Sequence, residues 1–263
     1  MIRKILLLTG AMALMAACGG GDEDGIRFEK VQADKITVLS NDDNSPSCRV
    51  HLEVDYATDD NGHRAEIVNN TIERRLLDMQ DLKMKQAVDS FADLYTTNYK
   101  KNFLPLYNQD RSDTNKRSWY EYHYIITTDV TKGYKGLSVY HVNLDYYEGG
   151  AHGINQHLTM NFDKETGQQL ALQGIFVPGY EGRLNAILLE ALQEKTGSKS
   201  LAELHDKGYL YSMDMFPSEN FILADDTITF IYNPYEIAPY AAGTTELVIP
   251  YSQLEDILKN SFF

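Results

Sequence analysis

Three histidines and an aspartate fall on the polar side of alternating segments: His123 in YEYHYII, His141 and Asp145 in VYHVNLDYY, and His157 in INQHLTM. Imidazole and carboxylate are ligands that a divalent metal takes from protein, and the same groups serve general acid–base chemistry. A strand sends alternate residues to one face, so aligned registers would turn these four into a metal site, and unaligned ones would leave a solvated polar face. A fourth histidine, His152, sits in GGAHG at Gly149–Gly153. One reading makes it the centre of a metal or substrate loop. The other makes it a hydrogen-bonding pin in a bulged turn whose glycines take positive φ, and this is favoured because no neighbour supplies the two further ligands zinc requires.

NPYEIAPYAAG, Asn233–Gly243, offers a different chemistry. Two prolines restrict the loop, so presenting Tyr232, Tyr235, Pro239 and Tyr240 to a partner would cost little ordering entropy. The alternative is a structural crossover whose tyrosines fill the core. Signatures of catalysis are missing: there is no nucleophile elbow, no HExxH and no phosphate-cradling glycine loop, and no cofactor is expected. A pair of carboxylates of the glycosidase kind need not be close in sequence, which keeps a glycan hydrolase or deacetylase using His141, Asp145, His152 and His157 as the second reading. Peptidoglycan or carbohydrate binding without turnover is a third.

These residues need elements to position them. Phe28–Tyr56 reads as two strands joined by NDDNSP, with Val50, Leu52 and Val54 on one face. Two amphipathic helices follow, at about 64–78 and 82–104, with Asp81 as cap and Pro105 as stop. SWYEYHYIITTDV, GLSVYHVNLDYY and GINQHLTMNF form a three-strand meander whose buried faces carry Tyr120, Tyr122, Tyr124 and Ile126, then Tyr140, Val142, Leu144 and Tyr146, then Ile154, Leu158, Met160 and Phe162. A helix over Arg183–Lys195 ends at Gly197. A short helix at Ser200–His205, a hairpin about Ala224–Asp226, a strand in TTELVIP and a final helix in YSQLEDIL complete the chain. The expected fold class is α+β, in two packed subdomains at 26–110 and 111–263, each a mostly antiparallel sheet with helices on one face.

Composition bounds the rest. MIRKILLLTGAMALMAAC has two basic residues, an apolar run too short to span a membrane, and small residues before Cys18. Met1–Ala17 is therefore expected to be a signal peptide. The run resembles a bacterial lipobox, which makes Cys18 the lipid-bearing first residue of the mature chain and 18–25 an acidic, flexible tether. The acid-rich tether also resembles tags that direct lipoproteins to the cell surface. The expected location is thus the outer membrane of a Gram-negative bacterium, on its periplasmic or outer side. The formal charge of −14 becomes −16 once Arg3 and Lys4 leave with the signal. That balance argues against nucleic acid or anionic lipid as partners and favours basic ones, with the membrane met only through the anchor. With Cys18 lipidated, Cys48 has no partner for a disulfide in the chain.

Three blocks carry a family resemblance: YYEGGAHG, NFDKETGQQLALQGIF, and FILADDTITFIYNPYEIAPYAAGTTELVIPYSQL. Together they resemble the bacterial domain of unknown function that ends the extracellular part of lysozyme-sensing anti-sigma factors. The same domain precedes the catalytic domain of a class of peptidoglycan deacetylases. The resemblance covers about Trp119–Leu258, and it implies lysozyme or another wall-active protein as partner. The sequence departs from both relatives in lacking a transmembrane segment and a deacetylase domain, so neither signal transmission nor deacetylation carries over from the resemblance.

Overall fold

Apolar–polar alternation in the first fifty-odd residues produces two long strands, β1 (Phe28–Val38) and β2 (Ser47–Ala57), paired antiparallel from Phe28↔Ala57 to Val38↔Ser47. The structure, a computed structural model, describes residues 25–262 except 59, 61 and 151. The signal segment Met1–Ala17, Cys18 and the tether as far as Asp24 lie outside the described residues.

The chain then enters α1 (His63–Ile72), which runs on as a π-helical turn, Glu73–Leu77, and α2 (Met84–Asp110). Two expectations fail here. Asp81 does not cap α2; it takes φ +58°, and Lys83 precedes the helix in an extended conformation without a side-chain cap. Pro105 does not stop α2, which continues for another turn and more. Contacts beyond the proline hold that turn: Tyr107 packs edge-on to Tyr120 at 5.5 Å, and Asp110 accepts from the Tyr120 hydroxyl at 2.8 Å. Such tertiary contacts outweigh the lost helical hydrogen bond.

Three more strands, β3 (Tyr122–Lys132), β4 (Ser138–Tyr147) and β5 (Ile154–Phe162), form the expected meander. They do not make a sheet of their own. β3 pairs parallel with β2, Val50 opposite Tyr124 and Leu52 opposite Ile126, giving one five-stranded sheet in the order β1-β2-β3-β4-β5. The expectation of separate sheets in 26–110 and 111–263 is corrected accordingly: α1 and α2 are the crossover that a parallel pair requires. Apolar β2 would expose an edge without β3, and the helices bury both. Phe91, Tyr95, Tyr99 and Phe103 of α2 lie on Tyr122 and Tyr124 at centroid distances of 4.8–5.3 Å for the closest pairs. Each ring so buried contributes about 1.5–3 kcal/mol, plus the edge and offset terms of aromatic pairs.

The second sheet contains β6 (Phe221–Leu223), β7 (Thr227–Tyr232) and β8 (Thr245–Pro250), all antiparallel. It is preceded by α3 (Leu172–Ile175), α4 (Glu181–Thr196) and α5 (Leu201–Asp206). Leu184, Ile187, Leu188 and Leu192 of α4 share a core with Phe230, Leu247 and Ile249. Gly197 closes α4 at φ +65°, as its position suggested. The expected final helix is only a 3₁₀ turn, Tyr251–Gln253. The chain after it is drawn back to α3, where the Val177 amide donates to Ile257 O and the Lys259 amide to Ile175 O. The fold class is α+β. Among the described residues no helix is long and apolar enough to cross a membrane.

Side-chain amides close the seam between the sheets. Among the described residues no further strand pairs beyond β5, and its edge groups are met by asparagines from the second half. The His157 amide donates to Asn233 Oδ1 at 2.7 Å, while His157 O accepts from Asn220 Nδ2 at 2.7 Å and Asn233 Nδ2 at 3.0 Å. The Thr159 amide donates to Asn220 Oδ1 at 2.8 Å. Asn161 works in the other direction, donating to Phe221 O and accepting from the Leu223 amide. A primary amide presents the same donor and acceptor as a peptide unit, so it pairs an open strand edge in place of another strand.

Cys48 is fully buried on β2, and burial pushes its thiol up to about 12. Thiolate is the reactive form. The native protein is therefore expected to leave Ellman's reagent unreacted at Cys48 at pH 8 and to react there on addition of denaturant; prompt reaction of native protein carrying Cys18→Ser would refute this.

Candidate functional site

The turn between β4 and β5 is held from three sides. Tyr95 of α2 donates its hydroxyl to Glu148 Oε1 at 2.6 Å, and Tyr147 donates to Gly150 O at 2.9 Å. Gly149, at φ +84°, lies so near the main chain of Trp119 that a Cβ would sit 3.1 Å from its carbonyl oxygen. The glycines thus do what the sequence suggested, taking positive φ and allowing close backbone approach.

This clamped turn projects His152 onto the second half of the molecule. Its ring stacks on Tyr240 with centroids 4.1 Å apart and planes 16° from parallel, and its Nε2 lies 3.1 Å from the Tyr235 hydroxyl. Nδ1 is 3.2 Å from Gly153 O. A carbonyl only accepts, so Nδ1 carries a proton, and in that tautomer Nε2 is the atom left to accept from Tyr235. The loop opposite is equally fixed. The Asn233 amide donates to Glu236 Oε2, the Tyr235 amide to Ala238 O, and the Leu210 amide to Ile237 O. Tyr235 has φ +74°, a conformation that is costly for a residue with a Cβ, and it is 57% exposed. Pro239 is exposed and Tyr240 half-buried. The two stretches that the sequence offered as separate candidates, GGAHG and NPYEIAPY, are one surface.

Tyr232 does not belong to it. It is fully buried, its hydroxyl donates to Phe216 O at 2.7 Å, and burial raises its phenol. As an inward-facing residue at the end of β7 it fills the core, which corrects the expectation that it faces a partner.

The other histidines separate into pairs. His123 Nε2 is 3.1 Å from Asp145 Oδ1. His141 and His157 lie ring to ring at 5.6 Å; His141 Nε2 is 2.8 Å from Thr131 Oγ1, and His157 Nδ1 is 3.0 Å from Asn143 Oδ1. Burial holds both imidazoles below the usual histidine range. His157 lowers His141 further, with Asp129 opposing, and Glu246 opposes the shift of His157. Both are neutral at pH 7 and engaged with neutral partners. Among the described residues no group of three or more His, Cys, Asp or Glu side chains is arranged to hold a metal. The registers bring the set to one face of the sheet without joining it into one site.

Chemically, the His152–Tyr235–Tyr240 surface offers ring faces and a phenol hydroxyl. Two hollows, of about 470 and 420 Å³, lie elsewhere, the first between β1 and α2 and the second between α4 and β8. Sequence reasoning missed both the meeting of the two stretches, which are over eighty residues apart, and the seam role of Asn220 and Asn233. The available signal was punctuation: a glycine-dense and a proline-dense segment each mark a rigid turn, and rigid turns are where strand ends converge.

Fold and surface together define a two-sheet α+β module that displays aromatic side chains at the seam of its halves. The chain belongs to the DUF3298 family, proteins of unknown function. The family profile matches residues 174–252. A crystal structure of a DUF3298 member from Bacteroides fragilis is 30% identical, superimposes with a TM-score of 0.81, and covers 90% of this chain and 95% of its own. A DUF3298 protein from Pseudomonas aeruginosa shares the fold, with a TM-score of 0.61 at 21% identity over 91% of this chain and 97% of its own. No curated protein matches the sequence.

Proposed function

We propose that this protein is a non-catalytic binding module of the cell envelope, anchored through Cys18 to the outer membrane, and that its partner is a basic protein such as lysozyme. The observation that carries this reading is the meeting of His152 with Tyr235 and Tyr240. Rings already stacked and hydrogen-bonded lose little freedom when a partner covers them, which is what makes aromatic residues good anchors. Tyr235 is held exposed against its own backbone preference, and such strain collects at functional positions. The formal charge, −14 for the whole chain and −16 without Arg3 and Lys4, supplies long-range attraction for a cationic partner. His123, His141 and His157 lie half-buried on one sheet face, engaged with Asp145, Thr131 and Asn143, which supports a binder over a hydrolase or deacetylase.

Titration of the full chain with lysozyme by calorimetry is the test. Binding is expected at low ionic strength, weakening as salt is added. Tyr240→Ala removes the ring beneath His152 and is expected to weaken it by about 30-fold, the scale of an interface anchor at about 2 kcal/mol. No complex at low ionic strength would overturn the reading for lysozyme. Peptidoglycan fragments that bind in its place, and lose binding in Tyr240→Ala, would make the surface a glycan site.

A further inference from the structure

The hollow of about 470 Å³ between β1 and α2 differs in character from the aromatic surface. β1 lines it with Lys35 and Thr37, and α2 with Thr97, Lys100, Lys101 and Leu104. Spacing explains the grouping: residues four apart on a helix, 97 with 101 and 100 with 104, stack on one face, and residues two apart on a strand share a side. Lys35 is paired with Asp93. Lys100 and Lys101 have no carboxylate partner among the described residues, nor do the Thr37 and Thr97 hydroxyls have a protein acceptor there. In a chain with 24 basic against 38 acidic residues, a hollow lined by three lysines and no carboxylate, with Asp93 paired to one of them, is a local excess of positive charge.

We infer that this hollow binds a small phosphate-bearing anion. Lys100 and Lys101 supply the charge, acting on phosphate as point cations do. The hydroxyls of Thr37 and Thr97 donate to its oxygens, and Leu104 meets the carbon skeleton. A soluble phosphorylated polyol and a glycerophospholipid headgroup present the same group, and the source is decided by the probe.

The full chain is titrated with glycerol 3-phosphate at low ionic strength, and in parallel is sedimented with vesicles of phosphatidylcholine with or without phosphatidylglycerol. Saturable binding to at least one anionic probe is expected. The double substitution Lys100→Gln/Lys101→Gln should weaken it by about tenfold or more, as the loss of two charge-assisted contacts implies. Both positions are exposed on α2, so the thermal midpoint should stay at the wild-type value. Thr97→Val, which keeps both charges, should weaken binding by a smaller factor, and Tyr240→Ala should leave it unchanged. Binding to glycerol 3-phosphate identifies a soluble ligand, and binding to phosphatidylglycerol vesicles alone identifies a headgroup. The inference is overturned if neither probe binds the wild-type chain, or if the double variant binds as tightly as wild type.

Discussion

Asn220→Ala is expected to destabilise the protein by about 3 kcal/mol, far more than an ordinary polar substitution. One side chain serves three groups of β5: Oδ1 accepts from the amide and the hydroxyl of Thr159, and Nδ2 donates to His157 O. Thr159 is almost fully buried, so its amide loses both its partner and access to water. A buried polar group left unpaired costs about 1–3 kcal/mol, and the Thr159 amide is that group here; His157 O keeps Asn233 Nδ2 and the Thr159 hydroxyl keeps Phe221 O, so their lost bonds to Asn220 add less. Asn220→Asp is the informative companion. It preserves the acceptor for Thr159 and turns an oxygen toward His157 O, so it should be no better than alanine. Urea unfolding followed by tyrosine fluorescence and by far-ultraviolet dichroism gives both the loss and its character. Because the two cores meet at this seam, the double variant Asn220→Ala/Asn233→Ala is expected to separate a single transition into two. A loss below about 1 kcal/mol for Asn220→Ala, on the scale of a water-compensated hydrogen bond, would show that solvent reaches the edge.

Gly167→Ala is the second large effect, at about 3 kcal/mol. Gly167 closes the Asp163–Gly167 turn: its amide donates to Asp163 O at 2.8 Å, and Asp163 Oδ1 in turn accepts from the amides of Glu165 and Thr166. The turn is pressed onto the first turn of α1, where Arg64 Nη1 donates to Lys164 O at 2.6 Å. A Cβ on Gly167 would stand 2.6 Å from Arg64 O and 3.0 Å from Arg64 Cα, at a φ of +73°. Backbone cannot rotate away as a side chain can, so α1 or the turn must move. Gly197→Ala separates the two causes. Gly197 has a similar φ, +65°, with nothing within 4 Å of the added carbon, and it should lose only about 1 kcal/mol from conformation alone. Thermal midpoints of the two variants measured side by side settle the difference, and equal losses would show that the contact with Arg64 yields at no cost.

Much of the local structure was legible because periodicity reports burial. Alternation located β1 to β5 and the inward residues Tyr140, Val142, Met160 and Phe162, and the glycine after α4 marked its end. Partnership was not legible. Nothing in the alternation of β2 says that its second neighbour is β3, in parallel and seventy residues on, because periodicity fixes which face is buried and leaves the partner open. Pro105 and Asp81 show the complementary failure, in which a sound local preference yields to contacts made by Tyr107, Tyr120 and Asp110 from elsewhere. For the candidate site, residue types pointed to the right segments and could not reveal that His152 touches Tyr235 and Tyr240. Tyr232 was misplaced for a related reason. It stands beside a turn in sequence, but its position on β7 points it inward.

The seam has a property that strand pairing lacks. Two strands joined edge to edge can slide by two residues and keep an equivalent ladder. Asn233, by contrast, grips both main-chain groups of one residue, His157, and acts as an index pin. The same asparagine begins the loop that carries Tyr235 and Tyr240, and His152 lies five positions before the pinned residue. The alignment of imidazole over phenol is therefore metered by the count of residues along β5. A single insertion between Gly153 and His157 would throw the rings out of line while deleting none of the side chains that form the surface.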